Sequence, residues 1–360
     1  MKRAALAMTL FVTLAAGVGS GGLVPARADD GPLALMERGQ LRRAAAVAES
    51  RIKTKPEDVE ALRVLATIRA QQKRFDEATQ LAERAVAAAP KDADAHFALA
   101  RVAGMHAQSA SVLKKPGLAG RFRKEAEIAL ALNPNHEDAM EGMVEFYRQA
   151  PGMMGGDKKK SAAMADRLVQ VNPTAGWLEK ADVAIDDKDT TLAESCLRKA
   201  AAKGEPRAKL ALASWLVQPW RQPDEAERLA REALEAEPWR AGGWALLAIR
   251  QAHEKRWPDV DATLARAEAA IPGNLGPHYQ AARTMIADRS DPARGATLLR
   301  RYLAVEPEIG QPSHAGAHWR LAQALEQQGR KPEAIAELRT ALKLDPKLEG
   351  AKQDLKRLKG

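Results

Sequence analysis

Apolar residues return along this chain at intervals of three and four, in short runs separated by polar turns. Between residues 59 and 90 the pattern is clearest. Leu62, Leu65 and Ala66 lie on one face of a helix, and Ala78, Ala82 and Ala85 lie on one face of a second. Pro90 then ends the stretch. The same order recurs as Leu210, Ala213, Ser214, Ala226, Ala230 and Ala233 before Pro238, and as Trp244, Leu247, Ala248, Val260, Leu264 and Ala267 before Pro272. It recurs again as His318, Leu321, Ala322, Leu325, Ala334, Leu338 and Ala341 before Pro346. The pattern predicts paired helices throughout and almost no strand.

Prolines following such stretches stand at Pro56, Pro90, Pro134, Pro173, Pro206, Pro238, Pro272, Pro307 and Pro346, spaced 34, 44, 39, 33, 32, 34, 35 and 39 residues apart. A period near 34 is the signature of a stacked helical repeat, and the longer intervals place insertions near 104–120, 149–160 and 308–314. Small residues at Ala66, Ala78, Ser214, Ala226, Ala322 and Ala334 let two antiparallel helices approach closely. A large side chain there would overpack the contact, at about 1–3 kcal/mol each. Beyond Pro346, the apolar Leu348, Ala351, Leu355 and Leu358 share a face amid Lys352, Lys356 and Lys359. That predicts a capping helix over 347–360 on a repeat array of about nine units spanning 29–346, with the first and fifth units degenerate.

These residues resemble the tetratricopeptide repeat family, whose pattern is a large residue, leucine and a small residue in one helix, then alanine, an apolar residue and proline in the next. The resemblance implies an all-α fold, a right-handed superhelical solenoid of antiparallel helix pairs. It also implies a protein-binding role, with peptide segments of other proteins held in a concave groove lined by the first helix of each pair. Carried over position by position, it puts partner contacts at Arg63, Phe97, Arg101, Glu141, Glu145, Arg148, Trp215 and Trp319. Charge alternates along that groove, from Arg63 and Arg101 to Asp138, Glu141 and Glu145 and on to Asp182 and Asp186, so no basic clamp of a single sign forms.

Composition alters the picture at the N-terminus. Lys2 and Arg3, an apolar run from Ala4 to Val18, and Ala26-Arg27-Ala28 before two aspartates predict a signal peptide over 1–28. The chain is then expected to be exported, periplasmic or extracellular after cleavage near Ala28, with no stable membrane insertion. Losing Lys2, Arg3 and Arg27 lowers the formal charge from +9 to +6. Basic and acidic residues alternate as on solvated helix faces, which argues against nucleic acid as a partner. A single cysteine, Cys196, excludes an intramolecular disulfide and reads as a small buried hydrophobe.

Candidate chemistry beyond the groove is confined to the insertions. Lys114, Lys115, Pro116 and Gly117 lie in the first, read as a loop from Gly104 to Gly120; Pro151, Gly155, Gly156, Asp157 and Lys158 lie in the second. Both fall between the two helices of neighbouring units, so they are expected to build one lobe. Asp157 is placed to cap a helix starting near Lys158. Glycine amides there could cradle an anion, giving a second reading as a receptor for a small ligand or anion, although the run lacks the ending of a nucleotide-binding loop. Trp215, Trp220, Trp239, Trp244 and Trp257 read mainly as packing residues. His314 and His318 are spaced like ligands, but two ligands make no closed metal site. With no catalytic motif and repeats filling the array, the sequence reads as a non-catalytic scaffold with no cofactor.

Overall fold

The computed structural model describes residues 31–218 and 221–359; the expected signal segment and Trp220 lie outside the described residues. Helices follow one another in antiparallel pairs. They are α1 (Pro32–Glu37) with α2 (Leu41–Thr54), α3 (Val59–Gln71) with α4 (Phe75–Ala88), and α5 (Ala93–Ser109) with α6 (Lys115–Leu132). Next come α7 (Glu137–Gln149) with α8 (Lys158–Val171), α9 (Pro173–Asp186) with α10 (Thr190–Ala201), and α11 (Pro206–Leu216) with α12 (Pro223–Ala236). The last are α13 (Ala241–His253) with α14 (Trp257–Ala270), α15 (Gly276–Ala287) with α16 (Pro292–Leu303), and α17 (His314–Gln327) with α18 (Lys331–Leu344). A final helix, α19 (Glu349–Lys359), packs on α18. Among the described residues there is no strand.

Local chemistry sets the helix ends. Asp58, Asp92, Asn172, Asp189, Asp291 and Ser313 each accept a backbone N–H three residues on, capping the helix that follows. Pro173 and Pro206 open α9 and α11 in the first turn, where a missing N–H costs nothing; the other repeat prolines fall after a second helix. In six units a tight turn between paired helices passes through one left-handed residue, Gly39, Lys73, Lys188, Lys255, Arg289 or Gly329, and the longer link between α7 and α8 has one at Gly155. The core between helices is alanine-rich. Ala66, Ala78, Ala82, Ala226, Ala230 and Ala334 are fully buried, and Cys196 is buried among them as a small apolar filler.

Two expectations change. The segment 104–120 is not a loop: α5 and α6 run through it, leaving only residues 110–114 outside helix. Gly104 serves packing instead, for a β-carbon on it would come within 3.1 Å of the Phe122 ring, while Gly117 and Gly120 have open space around them within α6. In the unit of α11 and α12 the buried face is Ala208, Leu212, Ala213 and Leu216, whereas Leu210 and Ser214 are only partly buried. There α11 ends at Leu216 and the link to α12 is longer than the tight turn, so the expected register slips by one residue.

The stack winds back on its own start. Arg42 at the head of α2 donates from its backbone N–H to Glu308 Oε1 at 2.8 Å and from Nη1 to the Pro307 carbonyl at 3.3 Å, and pairs with Glu306 at 3.3 Å. Ile309 packs against the core of the first units, and the Arg38 guanidinium lies 5.6 Å from the Trp239 ring centre. The link between α16 and α17, which contains the third insertion, therefore touches the N-terminal pair.

Candidate functional site

The first helices of successive pairs lie side by side and carry a line of charge along their shared face. Arg63 of α3 reaches Asp94 at the start of α5 at 2.6 Å, and His136, the residue capping α7, sits 3.2 Å from the other oxygen of Asp94. The His136 hydrogen bond and the Arg63 charge hold the Asp94 carboxyl well below the usual carboxylate range, against the opposing effect of burial. Arg101 of α5 lies 4.9 Å over the Phe97 ring and bonds Asp138 of α7 at 2.6 Å. Phe97 is buried with its ring edge against Gly142 of α7, where a β-carbon would meet it at 3.0 Å. Each of these side chains thus joins one unit to the next.

Further along, the face becomes acidic and partly closed to water. On α7, Asp138, Glu141 and Glu145 fall three and four apart; on α9, Glu179, Asp182 and Asp186 do the same. Glu141 pairs at 3.1 Å with Arg207, which reaches it from α11 past the intervening unit, and Arg148 pairs with Asp186. Among the described residues Glu145 accepts only from Gln149, at 3.1 Å. Glu179 and Asp182 have no cation within ion-pair distance among the described residues. Glu179 is only 5% exposed. Burial drives its carboxyl well above the ordinary range, and the charges of Glu141 and Asp182 push the same way while Arg148 opposes. Glu141 and Asp182 are also raised, chiefly by burial, with Arg207 and Arg148 respectively working against it. On the cationic side, Arg207 Nε and Nη2 and Arg148 Nε are buried without an acceptor.

The structure therefore brings Glu141, Glu145 and Arg148 together and adds Glu179, Asp182 and Arg207. Arg63, Phe97 and Arg101 precede them on the same ladder. Trp215 and Trp319 are placed elsewhere. Trp215 lies against the second helix of the preceding pair, its indole N–H directed at Glu194 at 3.4 Å and Arg221 over its ring. Trp319 is sandwiched under the cap, donating to Asp354 at 2.8 Å and closing on Gly350, where a β-carbon would lie 2.3 Å from the ring. The signal for Glu179 was present in its spacing from Asp182 and Asp186. Arg207, at a helix start next to a proline, carried none.

The second insertion forms a single 3-10 turn, Gly152–Met154, followed by Gly155 at φ 101°, and it touches α6. Asp157 caps α8 by accepting from the Lys159 and Lys160 amides. Four further amides are also taken: Met154 and Gly156 donate to the Pro151 carbonyl, Gly155 to Gly152 and Asp157 to Tyr147. Every amide from 154 to 157 is thereby committed within the chain. Lys158 is paired with Asp187, Lys114 is exposed and Lys115 half-buried. Val112, Leu113 and Met153 stand out at this lobe, 77%, 93% and 93% exposed. His314 and His318 turn to different partners, the Val305 carbonyl at 2.8 Å and Glu337 at 2.6 Å.

A family model described as tetratricopeptide repeat matches residues 33–93 and 287–349. Among solved structures the chain is similar to yeast Tom70, at 15% identity with a TM-score of 0.51, covering 91% of this chain and 80% of that one. It is also similar to a tetratricopeptide repeat protein of Parabacteroides merdae ATCC 43184, at 12% identity and a TM-score of 0.45 over 68% of this chain and 93% of that one. No curated protein matches the sequence.

Proposed function

We propose, from the premise that the chain is a tetratricopeptide repeat protein, that it is a non-catalytic adaptor of the cell envelope gripping segments of partner polypeptides along the shared face of its first helices. One observation carries this reading. Side chains from α7, α9 and α11 converge on that face, and Arg207 spans a whole unit to reach Glu141. A stack of helix pairs offers a long surface of this kind, and an extended or helical peptide fits it, with arginines and carboxylates fixing register. The charged N-terminal run and the Ala26-Arg27-Ala28 site support export, so partners are sought outside the cytoplasm.

Crosslinking in whole cells, followed by capture and mass spectrometry, tests the proposal. The wild-type chain is expected to capture a defined partner set that the double variant Arg148→Ala, Glu145→Ala loses, with helix content unchanged by circular dichroism. Retention of every partner by the variant overturns it. N-terminal sequencing of the secreted form is expected to begin at Asp29.

A further inference from the structure

The acidic stretch between α7 and α9 is under-neutralised by its own chain. Asp138 is answered by Arg101, Glu141 by Arg207 and Asp186 by Arg148. Glu145, Glu179 and Asp182 are left without a cation of their own among the described residues. Three carboxylates therefore stand in one patch with no direct ion pair among the described residues, in a chain whose formal charge is positive. Glu179 is the decisive member, because it is more than nine-tenths buried and unpaired. Burying a lone carboxylate is among the most expensive choices a fold can make, and surface acids in water carry no such cost. Such a group is stabilised when something outside the chain neutralises it.

We infer that the patch formed by Glu145, Glu179 and Asp182 is a receptor for a lysine ammonium or arginine guanidinium side chain carried by a partner polypeptide. This deepens the proposed function and rests on it. The geometry favours an organic cation over a metal ion. Among the described residues no three carboxylate, histidine or cysteine side chains converge closely enough to ligate a metal. A long, flexible cationic side chain carries its charge at the far end of an apolar stem, which suits a carboxyl recessed below the surface. Arg207 Nε and Nη2 and Arg148 Nε stay buried beside the patch as donors without an acceptor among the described residues. An incoming cation would draw the raised carboxyl of Glu179 back to the charged form.

Titration calorimetry on the full mature chain tests this with two decapeptides, one of alternating lysine and alanine and one of alternating glutamine and alanine. Wild type is expected to bind the lysine peptide at least tenfold more tightly than Glu179→Gln, Asp182→Asn does. The glutamine peptide is expected to bind the two proteins alike. Glu235→Gln, which removes an exposed acid on α12, controls for general charge and is expected to match wild type. Both changes on α9 preserve shape, and circular dichroism verifies the fold. Equal affinity of wild type and the double variant for the lysine peptide overturns the inference. Spermidine binding as tightly as the lysine peptide overturns its polypeptide part. If neither peptide binds wild type, the groove reading falls too; if both bind without charge preference, only this inference does.

Discussion

Individual residues show where the chain departs from what its neighbours would choose. Lys73, Lys188, Lys255 and Arg289 occupy the left-handed conformation that Gly39 and Gly329 hold in the first and last units. A side chain there strains the backbone by about 1–2 kcal/mol. Glu179 departs in charge. Its folded carboxyl titrates above the ordinary value of 4.5. The stability contributed by its protonated form is therefore complete below pH 4.5 and is lost as pH rises through the folded value. Glu179→Gln removes that loss. Its melting temperature at pH 8 is expected to exceed that of wild type, with the gap closing as pH falls toward 4.5. Thermal melts at a series of pH values measure this, and a variant less stable than wild type at pH 8 contradicts it. Asp94, lowered by His136 and Arg63, acts in the opposite sense and only at pH values below this window. The alanine core was legible because small residues at fixed spacing have one use in a helix pair. The left-handed lysines were not, since their type is that of any solvated turn.

Among the elements, α5 and α6 are the longest pair, and the contrast between their sequence and their shape is instructive. Glycine at Gly104, Gly117 and Gly120 suggests a loop on conformational grounds. The structure instead uses Gly104 and Gly142 to admit the Phe122 ring, whose atoms would lie 3.1 and 3.3 Å from added β-carbons, and Phe122 stacks on Phe146 at 5.3 Å. Nothing in the local sequence distinguishes a glycine kept for a neighbouring ring from one kept for a turn. Phe122→Ala is expected to destabilise the protein by about 3–5 kcal/mol, as removal of a buried aromatic ring does. Urea denaturation checks it, and a cost below about 1 kcal/mol shows that the ring is dispensable. The pairing of helices and the cap on α8 were legible because hydrophobic period and capping chemistry are local. The acidic face of α9 was only half legible, for spacing showed the stripe but not which members would be left unpaired.

At the scale of the whole molecule, the contact between the N-terminal pair and the link after α16 is the feature no repeat pattern announces. Arg42 meets Glu306, Pro307 and Glu308 across 264 to 266 residues of sequence, and Ile309 adds apolar contact. An exposed ion pair of this kind contributes about 0.2–1 kcal/mol, so the closure is held weakly. Arg42→Ala with Ile309→Asn is expected to enlarge the radius of gyration in small-angle scattering and to speed amide exchange in α2, while α17 and α18 keep their protection. Unchanged scattering contradicts it. A linear array transmits strain only to the adjoining unit, and its two extremities are independent. Here the first pair is tied to the link ahead of the last pair, so the molecule is a clasp whose two arms touch before its C-terminal end.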